Sequence, residues 1–173
     1  MQWISVVVVA GDHWMSAVVQ ADGRRFLDVL NDKSSEILTV EEPRIYLGPE
    51  MTEPVVELPR AAIPKHNIVI AMLMDPDHEA PRKRAAHFVR KDTFDAYLTI
   101  PGFELKGYIH LSARTDAATF LSRLAKENTP FFPMTASSVS ALGPLGEPAH
   151  APVTFVNRSF VDLLFIADMP SLS

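Results

Sequence analysis

LGPEMTEP, at residues Leu47–Pro54, is a loop sequence that returns later in the chain as LGPLGEP, at residues Leu142–Pro148. The first residues of the two loops are 95 positions apart, and their final Glu-Pro pairs are 94 positions apart. Gly-Pro and Glu-Pro pairs are common turn signals, so two such loops can match without a shared origin. Whether the whole chain repeats therefore depends on the residues that flank the loops.

The flanking segments correspond at nearly the same spacing, and their polarity matches more often than their identity. The corresponding segments are 9–11 with 100–102, 26–30 with 120–124, 36–40 with 130–134, and 63–68 with 156–161. We interpret the chain as one module used twice, with too few copies for a solenoid. The alternative is a pair of unrelated β-domains that share ordinary turn chemistry.

Short strands separated by turn signals dominate both copies. The run 3–10 is β-branched and almost wholly apolar, which is typical of a strand buried on both faces. Apolar residues at helical spacing predict short helices over 25–31 and 116–125, and Thr115 or Asp116 can cap the second. The predicted strands are 3–10, 14–21, 37–47, 55–58, 61–74, 94–100, 104–112, 131–142, 153–156 and 160–167. Pro43 confines part of its strand to an edge or a bulge, and Pro133 interrupts its strand.

Short antiparallel strands leave unpaired edges, and closing the sheet into a small barrel removes them. We predict a mainly β protein of two tandem, similar barrel-like modules, each with one short helix. The first module covers residues 1–74, a charged connector covers 75–93, and the second module covers 94–173. Because a module of about 85 residues supports only a marginal core alone, the two modules are expected to pack together or the protein to oligomerise.

Composition narrows the function classes. The 173 residues carry a net charge of −5 and contain no cysteine. An acidic balance disfavours nucleic acid or an anionic membrane as the partner, and the lack of cysteine excludes disulfides and thiol catalysis. The apolar run 6–10 is too short to cross a bilayer, and no basic segment precedes it as in a secretion signal. A cytoplasmic protein without a membrane partner is therefore the expectation.

The heptad RFLDVLN, at residues 25–31, resembles an R-[LF]-x-D-x-L-N motif of uncharacterised bacterial proteins with a domain of unknown function. The segments 63–69 and 156–161 each place a basic turn between two hydrophobic strands, and they resemble an element of Sm-like RNA-binding barrels. The bacterial group implies no known activity. The second resemblance implies Sm-like or SH3-like barrels and RNA contacts at the turn residues Lys65 and Arg158.

No familiar catalytic motif is present. The chain contains no G-x-S-x-G sequence, no Gly-rich phosphate loop, and no H-x-H or H-E-x-x-H spacing. We therefore predict no catalytic, cofactor-binding or metal-binding residues, no enzyme activity and no cofactor. In the heptad, Arg25 can bridge to Asp28, and Asp28 and Asn31 can either form a polar binding rim or tie the helix to neighbouring backbone. We favour the tie, because such side chains bond readily to nearby backbone.

Three functions stay open. The first is a non-catalytic binding or assembly module that acts through protein–protein contacts and self-associates as a homo-oligomer. The second is an Sm-like nucleic-acid-binding protein. Its candidate contacts are Lys65, Arg82, Lys83, Arg84, Arg90, Lys91 and Arg158, although five acidic residues between Asp75 and Asp95 offset the connector's charge. The third is a small-ligand binder or enzyme with a site between the modules, where His66, His110 and His150 would converge.

Overall fold

The computed structural model describes residues 2–75, 91–142 and 146–171, and these residues form a mainly β protein. The strands are β1 (Trp3–Ala10), β2 (His13–Gln20), β3 (Ile37–Tyr46), β4 (Val56–Glu57), β5 (Arg60–Pro64), β6 (Ile68–Leu73), β7 (Asp92–Ile100), β8 (Phe103–Leu111), β9 (Phe131–Ala141), β10 (Ala149–Asn157) and β11 (Leu163–Ile166). The helices are α1 (Phe26–Leu30) and α2 (Ala117–Lys126), and 3₁₀ turns cover Lys65–Asn67 and Arg158–Phe160. The prediction of a mainly β protein is confirmed. In each half, a short helix follows the second strand.

All described strands belong to one antiparallel sheet, in the order β11-β7-β8-β9-β10-β6-β1-β2-β3-β4, with β5 also paired to β3. The first half, residues 2–75, and the second half, residues 91–171, are joined where β10 pairs with β6. The sheet is open and ends at β11 on one side and at β4 and β5 on the other. Most of the predicted connector, residues 76–90, lies outside the described residues.

Two hydrophobic cores lie on opposite faces of the shared strands. One consists mostly of residues of the first half and is called the first-half core, and the other consists mostly of residues of the second half and is called the second-half core. In β1, Ile4, Val6 and Val8 belong to the first-half core, whereas Val7 and Val9 belong to the second-half core. Successive side chains of a strand point to opposite faces, so β1 supplies both cores and needs apolar residues at nearly every position. This requirement explains the almost wholly apolar run at the start of the chain.

The third strand of each half carries a bulge at an equivalent place. The β2–β3 register shifts between Ser16 and Val18, opposite Glu42 with a φ of +50°. The β8–β9 register shifts between Lys106 and Tyr108, opposite Ala136 with a φ of +45°. Glu42 and Ala136 are 94 positions apart, which is the spacing of the flanking segments. Both strands therefore bend at matching positions.

Two predictions about strand continuity differ from the structure. The apolar pattern predicts one extended stretch over 61–74, whereas the Sm-like resemblance predicts a basic turn within 63–69; in the structure the turn Lys65–Asn67 divides the stretch into β5 and β6. The turn is held because the Lys65 ammonium donates to the carbonyls of Val29 and Asp32. Pro133 does not interrupt β9, because the pairing of β9 with β8 ends at Thr135 and no ladder bond from the proline is required on that side.

Both helices are anchored as their sequences indicate. Phe26, Val29 and Leu30 form the buried face of α1. The Asp116 carboxylate accepts a bond of 2.7 Å from the backbone N–H of Thr119, so Asp116 is the cap of α2.

The polar side chains of the heptad bond both within the helix and to the second half. The predicted Arg25–Asp28 pair is present, with a nitrogen–oxygen distance of 2.8 Å. Asn31 ties the end of α1 to the backbone of Phe131, whose N–H and C=O lie 2.9 and 3.0 Å from the Asn31 amide. Asn31 therefore ties α1 to neighbouring backbone, which is the role that the favoured interpretation of the heptad predicts.

Gly107 sits opposite the bulge of β9, and we expect Gly107→Ala to lower the free energy of unfolding by about 1–3 kcal/mol. An added Cβ would lie 2.8 Å from the Thr135 carbonyl oxygen, a backbone atom that cannot rotate away. Urea titration followed by circular dichroism measures the change. Gly48→Ala is the matched control, because nothing lies within 4 Å of its added Cβ. Equal effects of the two substitutions would contradict the close approach at Gly107.

Candidate interaction site at the sheet edges

The first open edge is β11, which among the residues that the structure describes pairs with β7 on one side only. Ile166 is buried in the second-half core, whereas Leu163 and Phe165 point to the other face and are 51% and 56% exposed. Unpaired strand edges with apolar side chains favour pairing with another chain, and soluble proteins usually protect them with charges or prolines. Within β11 no such protection is present, so this edge is suited to an interaction.

The second open edge is formed by β4 and β5, which pair in succession with β3. Val55, Val56 and Leu58 are exposed large apolar residues in or beside β4. In β5, Ile63 is buried in the first-half core while Arg60 and Ala62 face solvent. In the described part of the chain, no strand pairs with the outer side of β5.

These two open edges have counterparts that are already joined inside the chain. Each half uses the same strand order: β6-β1-β2-β3-β5 in the first half and β11-β7-β8-β9-β10 in the second. By position in this order, β5 corresponds to β10 and β11 corresponds to β6. Because β10 and β6 pair with each other, the open edges are the two that lack the equivalent neighbour.

The basic residues predicted to contact nucleic acid are not gathered on one described surface. Lys65 is only 8% exposed, its ammonium lies 2.7 Å from the Val29 carbonyl, and burial lowers its pKa. The Arg158 guanidinium donates to the Thr129 carbonyl at 3.2 Å. Lys91 is exposed. The residues Arg82, Lys83, Arg84 and Arg90 lie outside the described residues.

The three histidines of the proposed inter-module site lie apart. His66 lines a cavity of about 510 Å³ between the halves, whereas His150 lines a separate cavity of about 430 Å³ on the second half. His110 is held between the hydroxyl oxygens of Thr93 and Thr135, at 3.2 and 2.7 Å. Burial and the nearby Lys91 lower the pKa of His110. The imidazoles therefore do not form one catalytic group.

The repeated loop lines a groove where turns of the two halves meet. Leu47, Gly48 and Pro49 border this groove of about 490 Å³ together with the hairpin turns at Gly11 and Gly102. The Trp14 and Phe103 rings meet edge to face beside it, with centroids 5.4 Å apart. This contact packs the halves together and leaves the groove mostly apolar.

Comparison of the chain with protein-family models, with curated proteins and with solved structures found no match. Among residues 2–75, 91–142 and 146–171, no cluster of His, Asp or Glu side chains has the geometry of a metal site. In the same residues, no helix has the length and apolarity needed to cross a membrane. The edge residues Leu163 and Phe165 were not singled out from sequence, where they read as ordinary strand positions. Only their alternation with the half-buried Leu164 and the buried Ile166 could have indicated them.

Proposed function

We propose that the protein is a non-catalytic assembly module that self-associates through its two open sheet edges. The observation that carries the proposal is the exposure of Leu163 and Phe165 on a strand whose outer edge has no partner strand in the described part of the chain. Because each side chain is already about half buried, removing the rest of its surface from water contributes about 1 kcal/mol each, in addition to the backbone bonds of the new strand pair. Association would therefore stabilise both edges.

The internal organisation supports the same proposal. The two halves are inferred to be similar barrel-like modules from one duplication, since strand order and bulge position match in both. A duplicated module carries two copies of each edge, and only one edge of each kind is paired within the chain. The two open edges, β5 and β11, are therefore of the two kinds that already pair inside the chain, so an edge of one copy can pair with the other edge of a second copy.

No specific observation favours the other two functions. Lys65 and Arg158, which the Sm-like resemblance assigns to phosphate contacts, donate to backbone carbonyls instead. Phosphate binding draws on free cationic side chains, and its strength falls steeply with salt. The histidines named for a site between the halves do not line a common cavity.

We expect the wild-type chain to show a multiple of its 19.2 kDa mass by size-exclusion chromatography with light scattering, and Leu163→Lys/Phe165→Lys to run as a single chain. Lysines on an edge strand oppose pairing because their charges would be desolvated. The control is Leu47→Lys/Leu142→Lys, which changes two exposed leucines in the loops away from both edges. A wild-type protein that stays monomeric at high concentration would exclude the proposed function.

A further inference from the structure

We infer that β11 of one copy pairs antiparallel with β5 of a second copy, in the register that β6 and β10 adopt inside the chain. This inference rests on the proposed function and names its partner surface. The internal pair provides the template, because β6 and β10 occupy the same places in the strand order of their halves as β11 and β5.

The register follows from the internal pair. In the chain, Val153, Thr154, Phe155 and Val156 of β10 face Leu73, Met72, Ala71 and Ile70 of β6. Segments 63–68 and 156–161 are 93 positions apart, and the same spacing makes β5 equivalent to β10 and β11 equivalent to β6. The expected pairs between copies are Arg60 with Ile166, Ala61 with Phe165, Ala62 with Leu164, and Ile63 with Leu163.

This register places each side chain on the correct face. Ile70 and Met72 of β6 point away from the first-half core and are buried, at 0% and 2% exposure, against the second-half core. Their counterparts Leu163 and Phe165 would lie beside Ile63 and Ala61, which pack in the first-half core of the second copy. The two most exposed side chains of β11 thus gain the surroundings that their counterparts already have.

The small side chains of β5 leave room for the incoming strand. Ala61 and Ala62 face the positions where Phe165 and Leu164 would arrive, so the large residues of β11 meet small ones. Arg60 lies at the end of the ladder and already pairs with Glu41 at 2.6 Å. No charged side chain is therefore brought to the middle of the new pair.

The contact is head-to-tail, since each copy offers one β11 edge and one β5 edge. Such heterologous contacts generate a ring when the rotation between copies closes and a filament when it does not. The pairing fixes the edges and the register, and the mass measured by light scattering reports the number of copies.

Cysteine pairs test the register directly, because the chain has no cysteine of its own. We expect Ala62→Cys mixed with Leu164→Cys to form a disulfide-linked dimer on mild oxidation, since directly opposed strand residues have Cβ atoms within bridging distance. Arg60→Cys mixed with Leu164→Cys is the control. Residue 60 lies on the same face of β5 as residue 62 but two residues away from the position expected opposite residue 164. All three variants keep Leu163 and Phe165.

The outcomes separate the inference from the proposed function. Cross-linking of the matched pair above the displaced pair supports the register. An oligomer that forms without preferential cross-linking of the matched pair overturns the register and leaves self-association standing. A monomeric wild-type chain overturns both. Hydrogen exchange of the unmodified protein gives a check that needs no variant: amides of 60–63 and 163–166 should gain protection on association, and unchanged exchange there would contradict the pairing.

Discussion

Replacing Phe155 by alanine is expected to destabilise the protein by about 3–5 kcal/mol, the usual cost of removing a buried phenylalanine. Phe155 is completely buried, and its ring meets that of Phe26 edge to face with centroids 5.5 Å apart. It lies on β10 of the second half but packs in the first-half core. Its loss therefore opens a cavity in one half through a strand that belongs to the other.

Thermal and urea unfolding of Phe155→Ala tests whether the two halves form one cooperative unit. We expect a single transition, shifted as a whole, because β6, β10 and β1 are shared by both cores. Phe165→Ala is the matched control at a concentration below self-association, and its exposed ring should cost far less. Two transitions of which only one moves would contradict a shared fold.

Replacing Asn31 by alanine is expected to cost about 2–4 kcal/mol, the second largest effect that the structure indicates. The Asn31 amide donates to and accepts from the backbone of Phe131, as a neighbouring strand would. Phe131 is buried, with 1% of its surface exposed. Without the Asn31 amide, its backbone N–H and C=O would lose that hydrogen-bond partner inside the protein. Unpaired buried backbone groups are costly.

The substitution Asn31→Asp separates hydrogen bonding from side-chain size. The carboxylate can still accept from the Phe131 N–H but would oppose the Phe131 carbonyl oxygen, so it should destabilise at neutral pH despite its equal size. Asn67→Ala is the control, since Asn67 is exposed and surface changes are usually within about 0.5 kcal/mol. Urea titration gives the free energy of unfolding of each variant. An Asn31→Asp variant with unchanged stability would show that the two bonds contribute little.

Much of the local structure is predictable because it depends on neighbours in sequence. The run 3–10 is a strand with the predicted bounds, Asp116 caps α2, and the basic turn predicted within 156–161 is present at Arg158–Phe160. Each depends on side-chain alternation, a capping carboxylate or a turn residue, which act over a few positions. The turn Lys65–Asn67 was harder to predict from sequence, because Lys65 is held by backbone carbonyls more than thirty residues away in the chain.

The interaction site was less predictable than the fold. The alternation of Leu163 and Phe165 with Leu164 and Ile166 indicates a strand with two apolar faces, which is also the pattern of a fully buried strand such as β6. In β6 the side chains of both faces are buried in the two cores, and both edges are paired, one with β10 and the other with β1. Among the described residues, β11 is paired along one edge only, with β7, and Leu163 and Phe165 on one of its faces are exposed. The same pattern therefore describes a buried strand in one place and an open edge in another.

Local patterns in the chain predict that the protein is mainly β, where most of its strands and both helices lie, and which side chains share a face. The pairing of β10 with β6, the single sheet shared by the halves, and the edges at β5 and β11 became visible only in the folded chain. Side chains specify faces and turns, whereas strand pairs are joined by backbone groups that every residue except proline provides. The choice of a strand's neighbour emerges only when both cores are packed.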